Sequence, residues 1–185
     1  MRLYRCFPWD ADVAASARGG AAWFPRMLQR AGRHDNPELY GCLYTTQAPI
    51  SSVVERLQGL RGTRLEAADL RSNGLPLALA ACVLSDDVRL VDLDEPRVLA
   101  EEGLRPSLVA TGERPRTQAY AAELFLGHPD AAGLRWWSTF ESQWPNVTLF
   151  DRAAGALEVE DVRALELGDE VVKEAARFLG LPLAG

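Results

Sequence analysis

The chain has 185 residues, 48% hydrophobic and 25% charged, which suits one globular domain with a sizeable core and excludes a disordered or fibrous protein. Its formal charge of -6, with Lys and Arg scattered along the chain, offers no basic stripe for a phosphate backbone, so direct nucleic-acid binding is disfavoured. No run of about 18 apolar residues is present to span a bilayer. The first residues lack the apolar stretch of a signal peptide, and Cys6, Cys42 and Cys82 form no C-x-x-C pair, so the expected compartment is a reducing cytoplasm, without a disulfide framework or a zinc site.

Leu3 to Phe7 reads as an opening strand broken by Pro8-Trp9-Asp10. Ala21 to Arg33 is a loop or short helix ending at Gly32, and Leu39 to Thr45 an aromatic-rich strand. From Pro49 the spacing turns helical, with Ile50, Val53, Val54, Leu57 and Leu60 on one face and Gly62 after the end. Leu75 to Leu84 and Val88 to Leu93 predict two buried strands around the Ser85-Asp86-Asp87 turn. Asp94 then caps a short helix over Pro96 to Glu102. Gly103 to Arg116 reads as a long loop. Thr117 starts a helix running to Leu126, either as its N-cap or, with Gln118, as an anion-binding start. Strands over Leu134 to Phe140 and Val147 to Phe150, a further strand after Gly155, and an amphipathic helix from Asp169 to Leu179 complete the chain. The result is an α+β fold of short strands, lacking the βαβ rhythm and the G-x-G-x-x-G turn of a Rossmann fold.

Arg33, Tyr44 and Glu55 are evenly spaced from a Gly-containing loop through an apolar strand into a helix. A guanidinium, a phenol and a carboxylate suit an anionic, aromatic ligand that becomes positively charged as it reacts, and a nicotinamide dinucleotide is such a ligand. The two histidines, His34 and His128, are too far apart in sequence to argue for a metal site or a Ser-His-Asp triad.

The strand Leu3-Tyr4-Arg5, then Gly32-Arg33-His34-Asp35-Asn36-Pro37, Leu43-Tyr44, Val54-Glu55, Trp137-Ser138 and Asn146-Val147-Thr148-Leu149-Phe150 together resemble the RES domain family, over roughly residues 2–151. The resemblance implies a single RES domain over 1–185, with the strand and helix of 156–180 packed on it, and a fold like that of ADP-ribosyltransferases. It implies a toxin of a type II toxin–antitoxin system that depletes NAD by hydrolysis or phosphorolysis. NAD is then a substrate, phosphate a possible co-substrate, and no separate cofactor is implied. The implied partner is an Xre-like helix-turn-helix antitoxin, in a homodimer or a toxin–antitoxin hetero-oligomer. Protein ADP-ribosylation, or a non-catalytic interaction module of the same fold, are the alternatives. His34 stands where the family commonly has tryptophan.

Breaking the nicotinamide–ribose bond leaves an oxocarbenium-like cation, so Glu55 is the candidate fixed negative charge, an effect worth roughly 10²- to 10³-fold in rate. Glu55 could also orient the attacking water or phosphate as a general base. Arg5 and Arg33 are candidates for the pyrophosphate, because an arginine fork matches phosphate oxygens. Tyr44 is assigned to nicotinamide stacking and Ser138 to a ribose hydroxyl or Glu55 itself. All five are expected to converge on one cleft. Each also has a plainer reading. Glu55 lies nearly opposite the Ile50, Val53, Val54, Leu57 stripe, where a carboxylate faces solvent unless a cleft runs there. Arg33 is equally a surface residue after a loop glycine, and Arg5 a partner of Asp10 or Asp12. Tyr44 is equally a core aromatic, with Tyr40 its rival for the ligand, and Ser138 a buried serine beside Trp136 and Trp137.

Overall fold

The computed structural model describes residues 1–184. Its elements in chain order are β1 (Arg2–Pro8), β2 (Cys42–Thr46), α1 (Pro49–Leu57), β3 (Arg71–Ser72), β4 (Leu75–Leu84), β5 (Arg89–Asp92), α2 (Pro96–Glu101), α3 (Pro106–Ala110), α4 (Arg114–Gly127), β6 (Ala131–Trp137), β7 (Pro145–Phe150), β8 (Leu157–Ala164) and α5 (Glu170–Leu179). Strand pairing is mostly antiparallel, and the α+β class expected from the sequence is observed. The chain alternates between two compact units. The first holds Met1, Phe24–Thr45 and Leu84–Leu157; the second holds Arg2–Trp23, Thr46–Val83 and the chain from Glu158 onward.

In the second unit, β4 is the hub, pairing with β1, β3 and β8. Its run LPLALAACVL is buried along most of its length, as expected of a strand covered on both faces. The β3–β4 hairpin turns on Asn73-Gly74, both with positive φ (52° and 82°), the geometry that an Asn-Gly turn favours. Helix α1 begins on Pro49 and buries Val53, Val54 and Leu57, packing against β1 and α5. Helix α5 contributes the matching stripe Val171, Val172, Ala175, Ala176 and Leu179, and Gly180 closes it in the left-handed region at φ 70°.

In the first unit the strand order is β2-β7-β6-β5. Strands β6 and β7 are antiparallel, from Gly133↔Leu149 to Trp137↔Pro145, whereas β5 lies parallel to β6. The Ser85-Asp86-Asp87 turn therefore does not close a hairpin, because β5 takes its hydrogen bonds from β6. Helix α4 buries Thr117, Tyr120, Ala121 and Leu124, a spacing of one helical face. That face joins Tyr40, Leu93, Leu134, Trp136 and Phe150 in the core.

Several boundaries differ from the sequence reading. Strand β2 starts at Cys42, since the Leu39 and Tyr40 N–H groups both donate to Asn36 O in a turn. The α2 cap is Glu95, whose side chain accepts from the Arg97 N–H, not Asp94. The stretch 103–116 contains α3 and the start of α4, because Pro106 and Pro115 occupy first-turn positions that need no N–H donor. Thr117 lies inside α4 and is not its cap, and β6 stops at Trp137, leaving Ser138 in the following turn.

Candidate functional site

The Gly32–Asn36 loop of the first unit is held down by α4. Thr117 Oγ1 donates to Arg33 O at 2.6 Å, and Gln118 Nε2 donates to Gly32 O and Arg30 O at 2.9 and 3.2 Å. Asn36 Nδ2 returns bonds to Gln118 O and the Tyr40 hydroxyl at 2.9 and 2.8 Å. Gly32 is required by close approach, since a Cβ there would run into the Asp35 carboxylate and the Tyr44 hydroxyl. Its N–H donates to Asp35 Oδ2 at 2.7 Å, so the carboxylate folds back over the glycine.

The Arg33 side chain is buried, and its Nη1 donates to Val109 O and Thr111 O at 2.9 and 2.6 Å. Its guanidinium carbon lies 4.9 Å from the centre of the Trp136 ring. His34 is fully buried, with Nδ1 at 2.9 Å from Thr148 Oγ1 and Nε2 at 2.9 Å from the Tyr120 hydroxyl. Burial above all, and then the charges of Arg33 and Arg114, hold its pKa well below the usual 6.5, so the imidazole is neutral. Trp136 Nε1 also donates to Thr148 Oγ1, closing a polar cluster inside an aromatic shell. The position is occupied by a hydrogen-bonded core residue.

Tyr44, half-buried on β2, uses its hydroxyl twice: it donates to Asp35 Oδ1 at 2.7 Å and accepts from the His34 N–H at 2.8 Å. Burial first, with nearby Cys42 and Asp35 adding to it, raises its pKa well above 10. Tyr40, its rival in the sequence, is fully buried and donates to His34 O, which makes it a core residue. Ser138 is buried in the β6–β7 turn, where its N–H donates to Trp144 O and its Oγ accepts from the Phe140 N–H. The structure thus brings Arg33 and Tyr44 into one network through His34 and Asp35, with Ser138 in the same unit.

Arg5 and Glu55 belong to the second unit. Arg5, on β1 opposite Ala80, donates from Nη1 to Gly20 O and Ala21 O at 3.0 and 2.7 Å, so main-chain carbonyls take the place of the Asp10 or Asp12 partner that the sequence offered. Enclosure by protein atoms lowers its pKa to about 10, which leaves it cationic at neutral pH. Glu55 is half-buried on α1, and Gln58 Nε2 donates to its main-chain O at 2.9 Å and to its Oε2 at 3.4 Å.

Asp35 and Thr148 stand in the quoted motifs without a role of their own, and Tyr120 and Arg114 are not singled out by the sequence. Asp35 had a usable signal, a short acidic side chain three residues after a glycine, which favours a local turn bond. The contacts of Tyr120 and Thr148 with His34 had none, because that partner is distant in sequence. Among the described residues no group of three or more His, Cys, Asp or Glu is placed to hold a metal ion, and no helix is long and apolar enough to cross a membrane.

No protein-family model matches the chain, and neither does any curated protein. Among solved structures, it is similar to a chain of the crystal structure of the M. tuberculosis MbcT–MbcA toxin–antitoxin complex. The TM-score is 0.61 at 16% identity, covering 97% of this chain and 87% of that one. The two chains share a fold. At that identity the likeness supports the α+β architecture.

Proposed function

We propose that this chain is a RES-domain toxin of a toxin–antitoxin pair, an enzyme that depletes NAD by cleaving the nicotinamide–ribose bond. The observation that carries the reading is the fold shared over 97% of the chain with a member of a toxin–antitoxin complex. The residue pattern from Arg5 to Phe150 supplies the chemistry. Glu55 provides the negative charge that opposes the sugar cation and orients the attacking water or phosphate. Arg5 and Arg33 take the phosphates. Both are anchored to main-chain carbonyls, so their positions are set before a ligand arrives and little ordering cost is left to binding.

Tyr44 has both hydroxyl bonds committed inside the protein, so it offers nicotinamide its ring face and not its O–H. Ser138 accepts from Phe140, and its own proton is the donor assigned to the ribose. NAD is consumed as substrate, and the proposed partner is an Xre-like helix-turn-helix antitoxin encoded by the neighbouring reading frame, in a homodimer or a hetero-oligomer.

The test is nicotinamide release from NAD by the purified chain, with and without phosphate. The expected result is turnover that Glu55→Gln lowers by about 10²- to 10³-fold. An intact, folded chain that releases no nicotinamide under either condition sinks the reading. Label from NAD that stays on protein in a lysate would move the activity to ADP-ribosyl transfer.

A further inference from the structure

The helical turn Arg26–Leu28 of the first unit displays two large apolar side chains in succession: Met27 is 85% exposed and Leu28 63%. They do not sit on a loose segment. Just before them, Arg26 donates from Nε to Pro37 O at 2.6 Å and from Nη2 to Glu38 O at 2.9 Å. Gly41 lies so close beneath that a Cβ there would stand 3.2 Å from Arg26 Cβ. Just after them, the buried Gln29 donates from Nε2 to Cys42 O at 2.7 Å. The turn is pinned at both ends, and the apolar pair between the pins is held out in water. Leu39, also exposed, directly follows Glu38, so the same Arg26 bonds keep a third apolar residue beside the turn. A single exposed leucine such as Leu126 on α4 needs no explanation, but apolar side chains grouped on a fixed support mark an interaction surface.

The charges that border this patch have both signs. Glu38 stands by Arg26, the residue before the apolar pair, and Arg30 follows the pair by two residues. Both are exposed, and neither side chain has a hydrogen-bond or ion-pair partner among the described residues. Arg26, in contrast, is occupied by the two carbonyls and by Asp151. An apolar centre with a free acid towards one end and a free base towards the other is self-complementary. A half-turn lays one apolar pair on another and each acid against a base, the arrangement that a twofold contact requires. A partner surface of one sign would satisfy one of the two charges and oppose the other.

We infer that Met27, Leu28 and Leu39 form the centre of an interface between two copies of this chain, related by a twofold axis that sets Arg30 of each copy against Glu38 of the other. Of the functional reading above, the inference uses only the homodimer.

Sedimentation velocity on the full chain over a range of concentrations is the test. The parent is expected to pass from monomer to dimer as its concentration rises, and Met27→Glu combined with Leu28→Glu should weaken the dimer at least about tenfold. Leu126→Glu, on α4, should leave it unchanged. The charges give the sharper readout. Arg30→Glu and Glu38→Arg each set like charges across the twofold and should weaken the dimer, whereas an equal mixture of the two variants restores both pairs and should associate as tightly as the parent. Circular dichroism checks that each variant keeps the fold, as substitutions at exposed positions should. A parent that stays monomeric, a dimer that survives the double change at Met27 and Leu28, or a mixture no tighter than its two components would each overturn the inference. So would a monomeric parent whose patch is needed only to hold a different protein. Nicotinamide release is measured separately: a chain that dimerises through this patch and releases none defeats the enzymatic reading and leaves the interface standing, and a monomeric chain that releases it does the reverse.

Discussion

The Gly32–Asn36 loop and the polar face of α1 both present charged residues, but they hold them in opposite ways. Arg33, His34, Asp35 and Asn36 are bonded to partners on α3 and α4, on β2 and β7, and in the α3–α4 connection. Glu55 is half-buried on a regular helix, and Gln58, one turn along, reaches its main chain and its carboxylate. The loop is thus part of the unit's stability, whereas Glu55 is carried by a helix that forms through its opposite, apolar face. Substitutions in the loop should unfold or loosen the protein. Substitution at Glu55 should leave the fold intact and remove chemistry.

The largest effect expected is therefore the one with the smallest structural trace. Glu55→Gln should lower nicotinamide release by about 10²- to 10³-fold, equivalent to roughly 3 to 4 kcal/mol in the barrier. Its unfolding free energy from urea titration should stay within about 0.5 kcal/mol of the parent. A loss of stability comparable with the loss of rate would make Glu55 a structural residue and erase the contrast with the loop.

The reverse pattern is expected of Gly32→Ala. The added methyl meets the Asp35 carboxylate and the Tyr44 hydroxyl, so either those groups move or the loop does. Overpacking of this kind costs about 1 to 3 kcal/mol, and the upper end is expected because Asp35 would also lose its bond to the Gly32 N–H. Urea denaturation measures it. An unchanged midpoint would mean that the loop yields freely and that its network does not define the position of Tyr44.

How far each region was readable follows from the range of its interactions. The α+β class, the helix from Pro49 and the strand from Leu75 were legible because proline placement and apolar periodicity are local signals. The helix at Pro106 is not, since proline fits a loop and the first turn of a helix equally well. Asp35 beside Gly32 was within reach of local turn chemistry, but the partners of His34 were not: Thr148 and Tyr120 lie far along the chain, and only the folded unit brings them to the ring. A departure such as His34 for tryptophan reads as a lost stacking surface in the sequence and as a satisfied core histidine in the structure.

The next effect is a dependence on pH. A histidine whose folded pKa lies well below 6.5 is neutral in the fold and takes up a proton on unfolding, so its contribution is complete above pH 6.5 and is lost as the pH falls below it. By pH 5 the unfolded chain gains about 2 kcal/mol from this one group. Carbon chemical shifts of the His34 ring should remain those of a neutral imidazole at pH 5 while the urea midpoint falls. A ring that titrates near 6.5 in the folded protein would show that water reaches it and that the loop is more open than its bonds imply.

The smallest effect isolates a single clamp. Thr117→Val keeps the shape of the side chain and removes the hydroxyl that donates to Arg33 O, leaving a buried carbonyl without that donor. The cost should be about 1 to 1.5 kcal/mol, between the net worth of a hydrogen bond and the penalty for an unpaired buried acceptor. Because α4 retains its own hydrogen bonds, the helix should survive while the loop loosens, and faster amide hydrogen exchange should be confined to residues 32–36. If exchange instead rises along α4, the hydroxyl supports the helix and not the loop, and the clamp on Arg33 must be attributed to Gln118 and to the carbonyls of Val109 and Thr111.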